Sequence, residues 1–217
     1  MLNDAIRLLA AAFCCEAKRV EVPVTLTPEL GKVLDMLLRL SSVTEVSSDG
    51  VAYMQTPVHA PNRITVRCGT LPRDLFFLFG GVCAKQDIVF FTRGVEPDVT
   101  REELQALCDA LDGVMCFVKK PSDVILSAVS EGFGLKAEVE VPPAFVAGML
   151  IGSALTYQDT DYNLGKYRDT EPVRFALEYM REYGALFTEH EDGTLTVHTL
   201  RPGRFDPASG RRLRRRK

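Results

Sequence analysis

The sequence predicts an α/β (α+β) fold of three repeated units, with helices buried inside and small mixed sheets outside. Three observations carry it. Helical and strand patterns alternate along the chain as helix–strand–helix–hairpin. Gly113 and Gly184, each closing an amphipathic helix before a hairpin, stand 71 residues apart, and 71 residues before Gly113 lies Ser42, at the end of another such helix. The first helices of the units begin near Asn3, Arg73 and Ala144, at spacings of 70 and 71. The units cover about 1–58, 59–130 and 131–200 of a single domain, and 201–217 reads as a basic, disordered tail.

In the first unit, 2–13 carries Ile6, Leu9, Ala10 and Phe13 at helical spacing. Asp4 and Arg7 interrupt its apolar run, so it reads as a core helix rather than a signal peptide. Residues 19–25 alternate as a strand. Thr27 as N-cap, Pro28 at the first helical position and Glu29 in the first turn open the next helix, whose stripe is Leu30, Leu34, Leu37 and Leu38. Strands at 43–47 and 51–55 flank an Asp49-Gly50 turn. No strand precedes the first helix, so that strand is missing or is supplied by something else.

The second unit has a strand at 63–68, a Gly69-Thr70 turn, a Phe-rich helix over 72–83 and a strand at 87–92. Phe76, Phe77 and Phe79 read as core. Thr100 and Glu103 have capping-box spacing ahead of a stripe of Leu104, Leu107, Cys108 and Leu111. Strands at 114–118 and 124–128 form its hairpin. In the third, 135–141 alternates as a strand, Pro142-Pro143 opens a helix over 144–155, and the polar stretch 157–168 holds a short strand at most. Thr170 or Glu171, then Pro172, starts a helix with Val173, Ala176, Leu177 and Met180 inward. Gly184 closes it before strands at 185–188 and 195–198 around an Asp192-Gly193 turn.

Of 217 residues, 46% are hydrophobic and 25% charged, the balance of a soluble globular protein. No stretch reaches the ~18–20 apolar residues needed to span a bilayer, so no membrane partner is expected. Cys14, Cys15, Cys68, Cys83, Cys108 and Cys116 lie mostly in apolar patterns without a CxxC pair, and His59, His190 and His198 are scattered. That predicts reduced, buried thiols in a cytoplasmic protein, with no metal and no cofactor. The tail 201–217 holds eight basic residues and one acid; removing them from the 26 basic and 29 acidic residues leaves 18 against 28, a body near −10. An acidic body argues against a nucleic-acid-binding domain. The tail itself reads as a solvated end, although RRLRRRK has the charge to touch RNA, acidic lipid or the protein's own acidic face.

The order and spacing of these elements resemble one domain of the enolpyruvyl transferases, in particular the EPSP synthases, over about residues 20–200. VRCGTLPRDLFFLFGGV is similar to the family's strand-turn-helix, AFVAGMLIGSAL to the helix after its Ser-Ser-Gln motif, and EPVRFALEYMREYGA to the helix after its Pro-Tyr segment. The resemblance implies transfer of enolpyruvyl from phosphoenolpyruvate to shikimate 3-phosphate. It puts Gly69, Thr70 and Arg73 on the substrate side, with Arg67, Lys166, Arg168 and Arg174 near positions where such domains meet substrate. That chemistry needs cationic clamps for two anions, a carboxylate acid or base, and donors from two closing domains.

This chain departs from the pattern. Pro142-Pro143-Ala144 replace the Ser-Ser-Gln that would hold the phosphate, and neither proline offers an N–H. Pro172 replaces a ring-contacting Tyr, Cys68 stands where the turn has Asn, and no Lys-Ser motif precedes the first helix. The implied function is therefore a divergent transferase-like half, inactive alone, with a protein partner supplying a second lobe. The alternative is a non-catalytic homologue that binds a small anion or a protein. Each site residue also has a plainer reading. Arg73 reads equally as a solvated helix start, Gly69-Thr70 as a tight turn, and Arg168, Asp169 and Arg174 as a surface ion network. Asp159 and Asp161 read as loop acids and His190 and His198 as hairpin residues, so no catalytic residue is assigned.

Overall fold

A computed structural model describes residues 1–15, 19–39, 43–55, 63–67, 71–86, 88–93, 98–111, 115–120, 123–128, 140–156, 158–200, 205–206 and 211–212. The first unit comprises α1 (Leu2–Cys14), β1 (Arg19–Pro23), α2 (Leu30–Arg39), β2 (Val43–Val46) and β3 (Val51–Gln55). The second adds a leading strand: β4 (Arg63–Arg67), α3 (Arg73–Lys85), β5 (Val89–Arg93), α4 (Arg101–Asp109), β6 (Met115–Lys120) and β7 (Asp123–Ala128). The third has α5 (Pro143–Ser153), β8 (Thr160–Asn163), a 3-10 turn at Gly165–Tyr167, α6 (Glu171–Glu182), β9 (Phe187–Glu189) and β10 (Thr194–Val197). In the tail, β11 (Phe205–Asp206) pairs antiparallel with β12 (Arg211–Arg212).

The first helix of each unit is the inner one. In α3 and α5 nearly every residue is buried, as expected of helices apolar on all sides, and α1 buries nine of its thirteen, leaving Asn3, Asp4 and Arg7 toward solvent. The outer helices bury one face only; α6 turns in Val173, Ala176, Leu177 and Met180, the four residues its spacing predicts. Phe76, Phe77 and Phe79 lie in the core, with ring centroids 5.4 Å apart for Phe76 and Phe77 and 5.5 Å for Phe76 and Phe90.

The closest helix contact joins α3 to α5 through glycines. A Cβ on Gly81 would overlap the Phe145 carbonyl oxygen and stand 2.9 Å from the Met149 nitrogen. A Cβ on Gly148 would overlap the Leu78 oxygen and stand 2.9 Å from the Val82 nitrogen. The two backbones therefore touch where side chains would normally separate helices by 8–10 Å. At the far end of this seam Lys85 is buried, 1% exposed, with its ammonium 5.7 Å from the Tyr162 ring centre. Burial pushes Lys85 down to about 8. Tyr162 hydroxyl and Ser153 Oγ share a buried hydrogen bond of 2.5 Å.

The sheets lie outside, as expected, but among the described residues only the central one is mixed. Its order is β4-β5-β7-β6, with β4 parallel to β5 and the other pairs antiparallel. The outer sheets, β1-β3-β2 and β8-β10-β9, are wholly antiparallel. The parallel pair arises from the strand that leads a unit. In the first unit α1 is the first described element, and the strand expected at 135–141 lies largely outside the described residues; Glu140 and Val141 are not in a strand. Gly113 also lies outside them.

In β1, the Val24 N–H to Gly50 oxygen bond at 2.8 Å fixes which backbone groups face β3. By alternation, Val20 and Val22 point toward β3, while Arg19, Glu21 and Pro23 point to the other edge. Among the described residues no strand pairs with that edge.

Local signals hold closely. Thr100 Oγ1 accepts the Glu103 N–H at 3.2 Å and Glu103 accepts the Thr100 N–H at 2.7 Å, completing the capping box. Thr27 Oγ1 accepts the Leu30 N–H, and α2 starts at Leu30, later than Pro28 suggested. Gly50 and Gly193, at φ 83° and 84°, supply the left-handed residue of their hairpin turns. The cysteines need a correction: Cys14, Cys15 and Cys83 are buried, but Cys108 is half-buried and Cys116 exposed, because Cys116 lies on the outward face of β6. Cys68 lies outside the described residues.

Candidate functional site

Helix starts from two units and one connecting turn surround a cleft of about 460 Å³. Arg73, Glu103 and Ala106 of the second unit line it together with Glu140, Val141, Pro142, Pro143, Lys166, Tyr167 and Thr170 of the third. Pro72 and Pro142 are the N-cap residues of α3 and α5, at φ −54° and −58° with extended ψ. Each proline sets the direction from which its helix starts, and Thr170, N-cap of α6, is the third helix start on this rim. Helix N-termini carry partial positive charge, so the rim favours anions.

The two cations of the lining are each paired with a carboxylate. Arg73 Nη1 donates to Glu103 Oε1, and the Arg73 guanidinium carbon sits 5.0 Å from the centre of the Phe77 ring. Lys166 Nζ lies 3.5 Å from Glu140, both well exposed. Burial pushes the Glu103 carboxyl up, but the Thr100 N–H and the Arg73 charge outweigh it and hold it below the usual carboxylate range. Tyr167 is buried in the wall, and its hydroxyl accepts the Val141 N–H at 2.8 Å, tying the 3-10 turn to the segment entering α5.

Of the residues singled out in the sequence, Arg73 and Lys166 come together in this cleft. Gly69 and Thr70 lie outside the described residues. Arg67 ends β4. Arg168 adjoins Tyr167 but donates to Glu189, which also accepts from Arg181 at 2.8 Å, an exposed ion network away from the cleft. These two arginines hold the Glu189 carboxyl below its usual range. Arg174 is exposed on α6 and, like Arg168, does not line the cleft. Asp159, Asp161, His190 and His198 are knitted into the outer face of the third sheet. His198 bridges Asp159 and Thr188 at 2.7 Å each, and Thr196 Oγ1 bridges His190 at 2.7 Å and Asp161 at 2.6 Å. Among the described residues no three His, Cys, Asp or Glu side chains converge as a metal site would, and no helix is long and apolar enough to cross a membrane.

Sequence reasoning did not find Glu140 or Tyr167, and it saw Glu103 and Thr170 only as cap residues. Glu103 carried a signal for its cap, but its ion pair to Arg73, 30 positions away, follows only from how the units pack.

No protein-family model matches the sequence, and no curated protein sequence matches it. Among solved structures, the chain is similar to EPSP synthase from Acinetobacter baumannii, 14% identical with a TM-score of 0.53, over 90% of this chain and 45% of that one. A second structure of EPSP synthase from that organism matches at 13% identity and a TM-score of 0.52. The enolpyruvyl transferase NikO from Streptomyces tendae matches at 14% and 0.52, over 98% of this chain and 48% of that one. The fold is EPSP synthase-like, as the sequence resemblance implies. The chain spans about half the length of the structures it matches.

Proposed function

We propose that this chain is a divergent enolpyruvyl transferase-like half that holds a small anionic ligand in the Arg73 cleft and does not transfer enolpyruvyl alone. The observation that carries this reading is that Arg73, at the start of α3, and Lys166, in the 3-10 turn, line one cleft together with the start of α5. Cations and helix N-termini on one rim suit a phosphate or carboxylate. Against catalysis stands the entry to α5, where Pro142 and Pro143 leave no N–H and no side-chain donor at the two positions where the family resemblance calls for serines. A charged group held without its donors loses roughly 1–3 kcal/mol or more. The ion pairs of Arg73 and Lys166 also leave no described acid in the cleft free of a cation.

Calorimetry of the full chain with shikimate 3-phosphate tests the reading. Binding weakened at least tenfold by Arg73→Ala is the expected result; binding indifferent to that substitution, or none at all, removes the anion cleft. In a saturating assay with shikimate 3-phosphate and phosphoenolpyruvate, turnover at ordinary enzyme rates would overturn the inactivity.

A second reading makes the chain one lobe of a working transferase whose other lobe comes from a partner or from elsewhere in a longer chain. It is favoured by the match to about half of each related structure. Activity that appears only when a second lobe is added would select it. No nucleic-acid or membrane role is proposed, because the body is acidic and its apolar helices are consumed by the core.

A further inference from the structure

Arg73 is the natural anion clamp of the cleft, yet in this structure it is already engaged. Its partner Glu103 is held from two sides. One carboxylate oxygen accepts from Arg73, and the other accepts the Thr100 N–H at 2.7 Å as the return bond of the capping box. The cap fixes the backbone that carries Glu103, because Thr100 Oγ1 accepts the Glu103 N–H at 3.2 Å. The carboxylate is thus placed by α4, not by the helix that bears the arginine. Across the cleft Glu140 does the same more loosely for Lys166, at 3.5 Å and with its own side chain 87% exposed. The four charges of the lining sum to zero.

We propose that Glu103 is the internal occupant of the anion site. A ligand enters by exchanging its own anionic group for the Glu103 carboxylate on Arg73, so the carboxylate competes with every anion that reaches the cleft. The inference rests on the cleft being an anion site. A displaced Glu103 also stays beside the ligand as a like charge, which weakens binding further. Glu103 therefore sets the affinity of the site without needing to touch the ligand.

The test is calorimetry of the full chain at pH 8 with inorganic phosphate, mainly a dianion there, and with acetate as the monoanion. Four proteins are compared: wild type, Glu103→Gln, Arg73→Ala and the double variant. Glutamine keeps a side-chain oxygen for the Thr100 N–H, so α4 keeps its cap while the charge is removed; an unchanged melting temperature checks this. Glu103→Gln should bind phosphate about tenfold tighter, and acetate should also gain, by no more than phosphate does. Both gains should vanish in the double variant.

If Arg73→Ala weakens phosphate binding but Glu103→Gln strengthens neither anion, the anion cleft stands and the Glu103 exchange is wrong. Tightening that survives in the double variant also overturns it, because the effect then does not pass through Arg73. If wild type and Glu103→Gln both bind neither anion, the anion cleft and this inference fall together.

Discussion

The helices α3 and α5 meet in two different ways along their length. At their starts, Arg73 and Pro143 both line an open, charged cleft. One to two turns further on, Gly81 and Gly148 bring the backbones into contact, so that no side-chain atom fits between them. The seam has a single packing solution, because its contacts are between main chains. The cleft has several, because long charged side chains can exchange partners. Main-chain contact at the seam would hold the two helix starts at a fixed separation during the proposed exchange of side-chain partners.

The largest effect should come from the seam. Gly148→Ala is expected to destabilise by about 3 kcal/mol or more, read as a lowered urea midpoint, since backbone must move to admit the methyl. A midpoint near that of wild type would mean that the seam has room for a methyl group. Next comes Lys85, at the seam's far end. Its folded pKa, about 8, lies below the ordinary 10.5, so the unfolded chain binds more protons between those values. Wild-type stability should therefore rise from pH 8 toward pH 10.5, by up to about 3 kcal/mol, with the full penalty present below pH 8. Lys85→Met should be more stable at pH 7 and lose that slope.

On the cleft side the effects are smaller. Tyr167→Phe removes the acceptor of the buried Val141 N–H and should cost about 1–2 kcal/mol. Faster hydrogen exchange at the Val141 amide would show that the cleft wall, and not the seam, has loosened. Smallest of all is Arg168→Ala. Its pair with Glu189 is exposed, and the thermal midpoint should stay within experimental error. A clear drop would mean that the network outside the cleft supports its wall.

Signals confined to neighbouring residues were legible in the sequence. The Thr100–Glu103 box, the inward stripe of α6 and the glycine turns at Gly50 and Gly193 are each set within a few residues. The seam was not. Gly81 and Gly148 look like weak points of two apolar helices until the helices cross, and nothing in either segment names its partner. Lys85 was missed for a related reason: the helix was expected to end at Cys83, which would have left the lysine in solvent. Arg73 was found through resemblance, but its resting state depends on Glu103 from another helix. Arg168 and Arg174 looked equivalent to it as charges, and only packing separates them.

The edge of β1 that no strand pairs with among the described residues bears on the protein's behaviour in concentrated solution. Such an edge is a template on which another chain could add strands and start a fibre. Here Pro23 contributes no N–H, so Glu21 is the one interior position that offers both a donor and an acceptor outward. A template one rung long, flanked by the exposed side chains of Arg19 and Glu21, cannot seed a growing ladder. Replacing Pro23 with valine would lengthen it, and would turn a harmless margin into a nucleus for polymerisation.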